Sequence, residues 1–240
     1  MLNILYEDEA VLVVWKPVGM ESQSGRGFDA DMVSEIKRYL STKKAVDNHN
    51  LSTKPVEPYV GVIHRLDKPV SGVMVYAKTK NAAASLSKQV AEGKMHKKYL
   101  AVLCGKPVDN NGTYVDYLKQ DKKNNCSRIV DKSDPESKRA ELEYKVLDCI
   151  QTEEKDPQYL SLVEIKLLTG RHHQIRVQFS GHGTPLYGDG KYGNNEKAVR
   201  KSLALCACHL KFKHPATGKI MDFQIKPDTG AFKLFSKNIS

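Results

Sequence analysis

The chain has 240 residues, of which 40% are hydrophobic and 28% charged, so it can form one large domain or at most two small ones and is not largely disordered. No stretch approaches the roughly 20 apolar residues of a membrane span, and the acidic N-terminal segment differs from a signal peptide, so we expect a cytoplasmic protein without a membrane partner. Lys and Arg number 38 against 28 Asp and Glu, and the net charge of +10 favours an anionic partner such as nucleic acid.

The first half of the chain predicts strands, two helices and a long loop. Apolar residues at helical spacing, with acids in the first turn, indicate a helix over residues 29–40. Residues 41–58 are polar and include two prolines, which predicts a loop. A second helix over residues 81–92 begins with Asn81 as its N-cap and ends before Gly93. Short apolar runs predict strands over residues 4–6, 10–15 and 73–77.

The second half is richer in predicted strands. Residues 106–138 are dense in Lys, Asp, Asn and Ser, which predicts a mobile, variable loop. A turn at residues 169–170 leads into a helix over residues 172–180. Because strands outnumber helices and often follow each other directly, we expect an α+β fold with a mixed, largely antiparallel sheet in a single domain over residues 1–240. The other strands are predicted over residues 98–103, 140–150, 159–168, 203–212 and 219–225.

The five cysteines predict no metal site. Their number is odd, no CxxC pair occurs, and their spacings match no zinc module. Residues 206–209 (CACH) can be interpreted as part of a metal site or as a buried strand with small apolar thiols. Alternation over residues 203–210 favours the strand, because a metal site also needs a second pair of ligands.

The densest polar cluster is the loop HRLDKPVSG at residues 64–72, which lies between two apolar segments. Loops held in this way often present reactive groups. Arg65 and Lys68 flank Asp67 and favour its ionised form, so Asp67 can act as a nucleophile, a general base or a metal ligand. The alternative is a turn in which Asp67 caps a backbone group and Arg65 is structural.

A second cluster, GRHHQIR at residues 170–176, runs from the end of a strand into a helix. Its backbone amides and the guanidinium groups of Arg171 and Arg176 can face an anion. We expect the adjacent His172 and His173 to point to different faces of the helix, so no shared metal ion is predicted. His173 suits a hydrogen-bonded core position as well as a catalytic one.

A third feature is the segment KKYL at residues 97–100, at the start of a predicted strand. Tyr99 can stack on a nucleobase while Lys97 and Lys98 hold phosphates. The alternative is a half-buried strand tyrosine with solvated lysines.

Together, these clusters resemble the motifs of the RluA-type pseudouridine synthase family. HRLD at residues 64–67, followed by SG at residues 71–72, resembles the family's HRLD…SG motif. The resemblance covers roughly residues 4–225, and His172 departs from it where Thr or Ser is common, as does Val70 where Thr is usual. Further matches in the family's order are LYED at 5–8 with KPVG at 16–19, KYLA at 98–101, and GRHHQIR at 170–176 with GD at 188–189 and YG at 192–193.

The resemblance implies an RNA-modifying isomerase with the pseudouridine synthase fold, which acts on tRNA or rRNA without a metal or cofactor. It implies that Asp67 attacks the target uridine, whose uracil is detached, rotated and rejoined through C5, with the order of the steps left open. It also implies that Tyr99 stacks on the base or assists proton transfer, and that Arg176 pairs with Asp67.

The same resemblance implies residues that bind RNA. Arg65 is the candidate to occupy the space that an extruded uridine leaves. We expect the loops at residues 41–58 and 106–138 to help select the RNA, and the catalytic domain to stand alone, without a preceding S4-type module or an obligatory protein partner. The other RNA-contact candidates are His64, Arg171 and Lys98.

Two other functions remain open at this point. A catalytically silent protein on the same fold would bind RNA and form no pseudouridine. A glycosidase or nucleosidase would release the base, but it needs a second positioned acid, whereas the HRLD motif supplies one carboxylate.

Overall fold

A computed structural model describes residues 2–24, 30–47, 57–152, 159–193, 202–237 and 239. The chain divides into two compact units. The first comprises Met1–His96 and His209–Ile225, and the second comprises Lys97–Cys208 and Lys226–Ser240. The expected single domain over residues 1–240 stays a prediction. No helix within the described ranges is long and apolar enough to cross a membrane.

The first unit combines antiparallel strands with two helices. Its elements are β1 (Asn3–Glu7), β2 (Val11–Lys16), α1 (Met32–Asp47), β3 (Gly61–Val62), β4 (Ser71–Ala77), α2 (Lys80–Ala91), the end of β10 (Leu205–Lys213) and β11 (Ile220–Gln224). β2 pairs with β1 and β4, β3 also pairs with β4, and β11 pairs with β10. All residues of β4 are buried, and Val75 packs in a core with Leu86 of α2 and Phe212 of β10.

The second unit contains a run of long antiparallel strands and one helix. Its elements are β5 (His96–Cys104), β6 (Asn111–Asp121), β7 (Cys126–Val130), β8 (Lys138–Gln151), β9 (Tyr159–Leu167), α3 (Gln174–Gly181) and a 3-10 helix (Gly230–Phe235). The strand order is β5-β9-β8-β6-β7. Leu118 of β6, Ala140 of β8 and Val177 of α3 form a small core beneath this run.

The predicted α+β class with a largely antiparallel sheet is confirmed, since every strand ladder described within the two units is antiparallel. The predicted strands outside residues 106–138 are all present, with ends that differ by a few residues. The two-residue strand β3 and the 3-10 helix were not predicted, because both are too short for a periodic signal.

Helix α1 is longer than the sequence predicts. It begins at Met32, where the Asp31 carboxylate accepts the N–H of Ser34 at 2.9 Å, and it continues to Asp47. The predicted loop over residues 41–58 is therefore wrong for residues 41–47, and residues 48–56 lie outside the described part of the chain. A tertiary contact supports the extension, because Lys43 Nζ lies 3.2 Å from a carboxylate oxygen of Glu7 on β1.

The N-cap of helix α2 is Thr79 and not the predicted Asn81. The Thr79 hydroxyl oxygen accepts the N–H of Ala82 at 3.1 Å, and Thr79 has the extended backbone of a cap residue. Asn81 lies inside the first turn, where its side chain is exposed. Both residue types suit an N-cap, so composition alone could not choose between positions two residues apart.

The expected mobile loop over residues 106–138 is wrong, because most of it forms the β6–β7 hairpin. β6 pairs with β7 from Tyr117↔Val130 to Asp121↔Cys126, and its other edge pairs with β8. Only Leu118 on β6 and Ser127 on β7 are buried. These strands lie at the edge of the run and bury little apolar surface, so their sequence lacks the alternation that marks a strand.

Candidate active site

Asp67 lies in the first unit, on the loop between β3 and β4, where it is half-buried. Its carbonyl oxygen accepts the N–H of Val70 at 2.9 Å, which closes the turn. The N–H of Gly19 donates to the carbonyl of Lys68 at 2.8 Å. Arg65, two residues before Asp67, is exposed. Asp67 therefore lies on a loop that backbone hydrogen bonds hold in place, two residues after an exposed arginine.

The buried side chain of Lys16 supports this loop. Lys16, at the end of β2, is fully buried, and its Nζ donates to the carbonyl oxygens of Met20 at 2.6 Å, Pro17 at 3.0 Å and Lys68 at 3.4 Å. Burial lowers the pKa of Lys16 to about 8, although the negative charge of Asp67 opposes this shift. Lys16 thus places a positive charge within electrostatic reach of Asp67 while it holds the backbone of the loop.

Three further side chains hold the residues before Asp67 in place. The Ser22 hydroxyl donates to the carbonyl of Leu66 at 2.7 Å and accepts the N–H of Leu66 at 2.9 Å. Tyr76 on β4 donates its hydroxyl proton to the carbonyl of Ser22 at 3.1 Å. His64 Nε2 accepts the N–H of Val75 at 3.3 Å, which gives this RNA-contact candidate a structural contact. These buried hydrogen bonds make the loop rigid.

Tyr99 lies in the second unit, on β5, and only 6% of it is exposed. It faces Ile165 of β9 in the strand register. The neighbouring Lys98 forms an ion pair with Glu164, and its Nζ lies 3.1 and 3.2 Å from the two carboxylate oxygens. A phosphate that approached Lys98 would therefore compete with Glu164. Of the two lysines expected to be solvated, Lys98 keeps 43% of its side chain exposed, whereas burial lowers the pKa of Lys97 to about 8.

Arg176 on α3 is buried and forms a two-pronged ion pair with the fully buried Asp189. Its Nε and Nη2 donate to the carboxylate oxygens at 2.8 and 2.7 Å. Burial would raise the pKa of Asp189, but the hydrogen bonds and charge of Arg176 outweigh this effect and hold the pKa below its ordinary value. Gly188 makes the turn before Asp189 possible, because it has φ of +76° and a Cβ there would lie 2.3 Å from the carbonyl oxygen of Ser202.

The expectation that His172 and His173 point to different helix faces is wrong. α3 begins only at Gln174, and His173 adopts the left-handed conformation with φ of +53°, so the two rings stack with centroids 3.8 Å apart. The Tyr192 hydroxyl accepts the N–H of Ser127 at 2.8 Å and lies 2.7 Å from His173 Nδ1. Burial and the charge of Arg176 lower the pKa of His173 to about 3, so this ring is neutral at physiological pH.

Arg171 lies at the exposed edge of the same turn. Its Nε donates to the carbonyl of Arg139 at 2.9 Å, and its backbone N–H donates to the side chain of Gln174 at 2.9 Å. The Gln174 amide in turn donates to the carbonyl of Glu141 at 3.0 Å. The turn is therefore attached to β8, and the guanidinium group of Arg171 remains at the surface.

The structure thus places the predicted site residues in two groups. Asp67, Arg65 and His64 belong to the loop of the first unit. The second unit holds Tyr99, Lys98, Arg171 and Arg176. The pairing of Arg176 with Asp67 stays a prediction. The sequence predicts no role for the residues that support the two groups, namely Lys16, Ser22, Asp189 and Tyr192. Three of them nevertheless lie in the motifs given above: Lys16 in KPVG, Asp189 in GD and Tyr192 in YG.

Comparison with solved structures defines the class of fold. The structure titled Human RNA Pseudouridylate Synthase Domain Containing 1 superposes with a TM-score of 0.73 at 24% identity and covers 95% of this chain and 84% of that chain. The corresponding human Domain Containing 4 structure gives the same TM-score at 23% identity, over 99% of this chain and 94% of that chain. The predicted pseudouridine synthase fold is therefore confirmed.

Comparison of sequences defines the family. Residues 10–181 match the model of the RNA pseudouridylate synthase family. The ribosomal large subunit pseudouridine synthase D of Zymomonas mobilis is 35% identical over 92% of this chain and 68% of that protein. The corresponding synthase C of Escherichia coli is 31% identical over 98% of this chain and 69% of that protein. The chain spans about two thirds of the length of such relatives.

The chain therefore belongs to the RNA pseudouridylate synthase family, and it is an isomerase that acts on uridine in RNA. The prediction made from the HRLD, KYLA and GRHHQIR motifs is confirmed at this level. The comparisons give no support to a catalytically silent RNA-binding protein.

Proposed function

We propose that the protein converts a uridine of ribosomal RNA into pseudouridine, with Asp67 as the nucleophile. The main support for this role of Asp67 is its position on a loop whose backbone is hydrogen-bonded to the buried Lys16 and to Ser22. The two relatives from Zymomonas mobilis and Escherichia coli are both called ribosomal large subunit pseudouridine synthases, and this supports rRNA over tRNA as the substrate.

The proposed reaction proceeds through a covalent intermediate, and uridine and pseudouridine have the same atomic composition. A carboxylate can form such an intermediate without a cofactor. Asp67 bonds to the nucleoside, the N1–C1′ bond breaks, and a new C5–C1′ bond forms after the uracil rotates. The proton that C5 loses is balanced by the proton that N1 gains, and Asp67 is released as a carboxylate. The positive charge of Lys16 favours that ionised carboxylate before and after the reaction.

The remaining residues bind and orient the nucleoside in this proposal. Tyr99 stacks on the base or assists proton transfer. Asp189 holds the Arg176 guanidinium group in one orientation, and the pairing of Arg176 with Asp67 that the family resemblance implies is part of this proposal. Arg65 fills the space that the extruded uridine leaves, which offsets part of the unstacking cost of a few kcal/mol.

The test replaces Asp67 by Asn, which keeps the size of the side chain and removes its nucleophilic carboxylate. Pseudouridine is mapped in purified rRNA and in tRNA after incubation with the wild type and with Asp67→Asn, and RNA affinity is measured in parallel. We expect modification of rRNA by the wild type, none by the variant, and equal affinity for both. Asp222→Asn, which changes an exposed carboxylate on β11, is the matched control and should keep full activity.

Each part of the proposal has its own contrary result. Activity in Asp67→Asn would exclude the nucleophile, and modification of tRNA alone would exclude rRNA as the substrate. Release of free uracil would identify a glycosidase instead.

A further inference from the structure

The β6–β7 hairpin ends in a basic tip, residues 121–128, which has no role in the chemistry proposed above. Lys122, Lys123 and Arg128 are all exposed there. The carboxylate of Asp121 accepts the backbone N–H groups of Lys123 and Asn124 at 2.9 and 3.1 Å, so it closes the turn. Within the described part of the chain, no ion pair involves Lys122 or Lys123. The tip thus presents three cations against a single carboxylate that the turn already uses.

His172 fastens this tip to the start of α3. Its Nε2 lies 3.1 Å from the side-chain oxygen of Asn125, and its Nδ1 lies 2.9 Å from the hydroxyl of Ser127. The amide oxygen of Asn125 can only accept, so the Nε2 of His172 carries the proton of that hydrogen bond. One imidazole ring therefore bridges two residues of the hairpin.

A second set of contacts joins the tip to the residues that hold Arg176. Lys191 Nζ donates to the carbonyl oxygens of Asn125 at 2.8 Å and Asn124 at 3.3 Å. The backbone N–H groups of Lys191 and Tyr192 donate to the carboxylate of Asp189 at 3.0 and 3.1 Å. Because that carboxylate also binds Arg176, the tip and the Arg176 guanidinium belong to one connected cluster.

We propose that the basic tip is a contact surface for the phosphate groups of the RNA substrate, and that His172 is the positioning residue that holds this surface in place. The inference rests on the proposed function for its partner, an RNA. Lysine and arginine contacts to phosphates fix the register of a nucleic acid without reading its sequence. Since the tip is fastened to the cluster around Arg176, a strand bound there is placed relative to Arg176.

The first test reverses the charge of the tip. We expect Lys122→Glu with Lys123→Glu to raise both the Kd for RNA and KM by about 10- to 100-fold, with kcat nearly unchanged because no reacting group is altered. The slope of log affinity against log salt should decrease in size by about 1.4–1.8, for two lost phosphate contacts. Lys233→Glu with Lys237→Glu, at two exposed lysines, makes the same change in net charge and should shift neither KM nor the slope by a comparable amount.

The second test removes the contact between the helix and the hairpin. His172→Ala should raise KM about 10-fold, roughly the effect of losing one contact between the tip and a phosphate. It should also speed hydrogen exchange at the Ser127 amide. His172→Gln, whose amide can donate to Asn125, should restore part of the affinity. Both variants are compared at a temperature at which each is fully folded, so a loss of stability alone would leave KM unchanged.

Three results would overturn the inference: unchanged RNA affinity in the Lys122/Lys123 variant, an equal loss in the Lys233/Lys237 control, or a fall in kcat without a change in KM for His172→Ala. A failure of the proposed function can be distinguished from these results. In that case the wild type would form no pseudouridine, and the RNA affinities of the wild type and the Lys122/Lys123 variant would still test the tip.

Discussion

Asp189 and Arg176 form the most deeply buried ion pair that the structure describes, with 0 and 7% of their side chains exposed. Among the residues that the structure describes, Arg176 is the counterion of this carboxylate, whose further hydrogen bonds come from the backbone N–H groups of Lys191 and Tyr192. Removing one member of a buried pair leaves the other charge uncompensated, which costs about 3–5 kcal/mol. Stability should therefore respond strongly to this single residue.

Asp189→Asn should lower the free energy of unfolding at pH 7 by about 3–5 kcal/mol. The pKa of Asp189 is lowered in the folded state, so its contribution is complete above the ordinary pKa of about 4 and is lost as the pH falls through the lower folded-state value. The gap between wild type and variant should therefore shrink below about pH 4. Urea unfolding over a pH series measures this.

The control for that experiment is Asp222→Asn. Asp222 pairs with His209 and Lys211, but 46% of its side chain is exposed, so its replacement should cost less than about 1 kcal/mol. Equal losses in both variants, or a gap that widens in acid, would contradict the assigned role of Asp189.

At the same scale, the sequence singles out Asp67, Tyr99 and Arg176 as candidate catalytic residues because each stands in a short, distinctive motif. It could not assign the role of Lys16, since a lysine at the end of an apolar strand is ordinarily solvated. Only the folded chain surrounds its ammonium group with carbonyl oxygens from residues as distant as Lys68. Supporting residues of this kind depend on long-range contacts, which no local pattern encodes.

Helix α2 allows a direct comparison of two candidate caps. Thr79→Ala should lower the free energy of unfolding by about 1 kcal/mol, because it removes the acceptor for the N–H of Ala82. Asn81→Ala, the position that the sequence favoured, should change it by less than about 0.5 kcal/mol. Chemical denaturation of the two single variants decides between them, and a larger loss in Asn81→Ala would restore the sequence-based cap.

Elements were predictable where burial imposes a pattern on the chain. β4 is buried along its whole length, and its apolar run was found within two residues of its true start. The β6–β7 hairpin was missed because polar side chains cover most of its surface, and its strands are held by backbone pairing with β8 and by contacts to His172 and Tyr192. The same pairing turns a segment of loop-like composition into the surface that presents Lys122 and Lys123.

For the whole molecule, the net charge of +10 separates into cations with different surroundings. Lys16 is buried and donates to backbone carbonyl oxygens at the Asp67 loop. Arg176 is buried and forms an ion pair with the Asp189 carboxylate. Lys98 and several other lysines are neutralised by surface ion pairs. The cations at the hairpin tip are exposed, so they contribute to the long-range attraction of an anionic partner more directly than the buried ones.

This division predicts that affinity for RNA depends on salt, whereas the chemistry depends on Asp67. If the exposed cations neutralise about four phosphates, affinity should fall about 100-fold between about 50 and about 200 mM monovalent salt. Asp67→Asn removes a negative charge from the candidate site and no cation, so its slope of log affinity against log salt should equal that of the wild type even though it forms no pseudouridine. Filter binding or fluorescence anisotropy over a salt series measures both slopes. A salt-independent affinity would show that phosphate contacts do not hold the RNA, and a much flatter slope in Asp67→Asn would show that binding and chemistry are not separable.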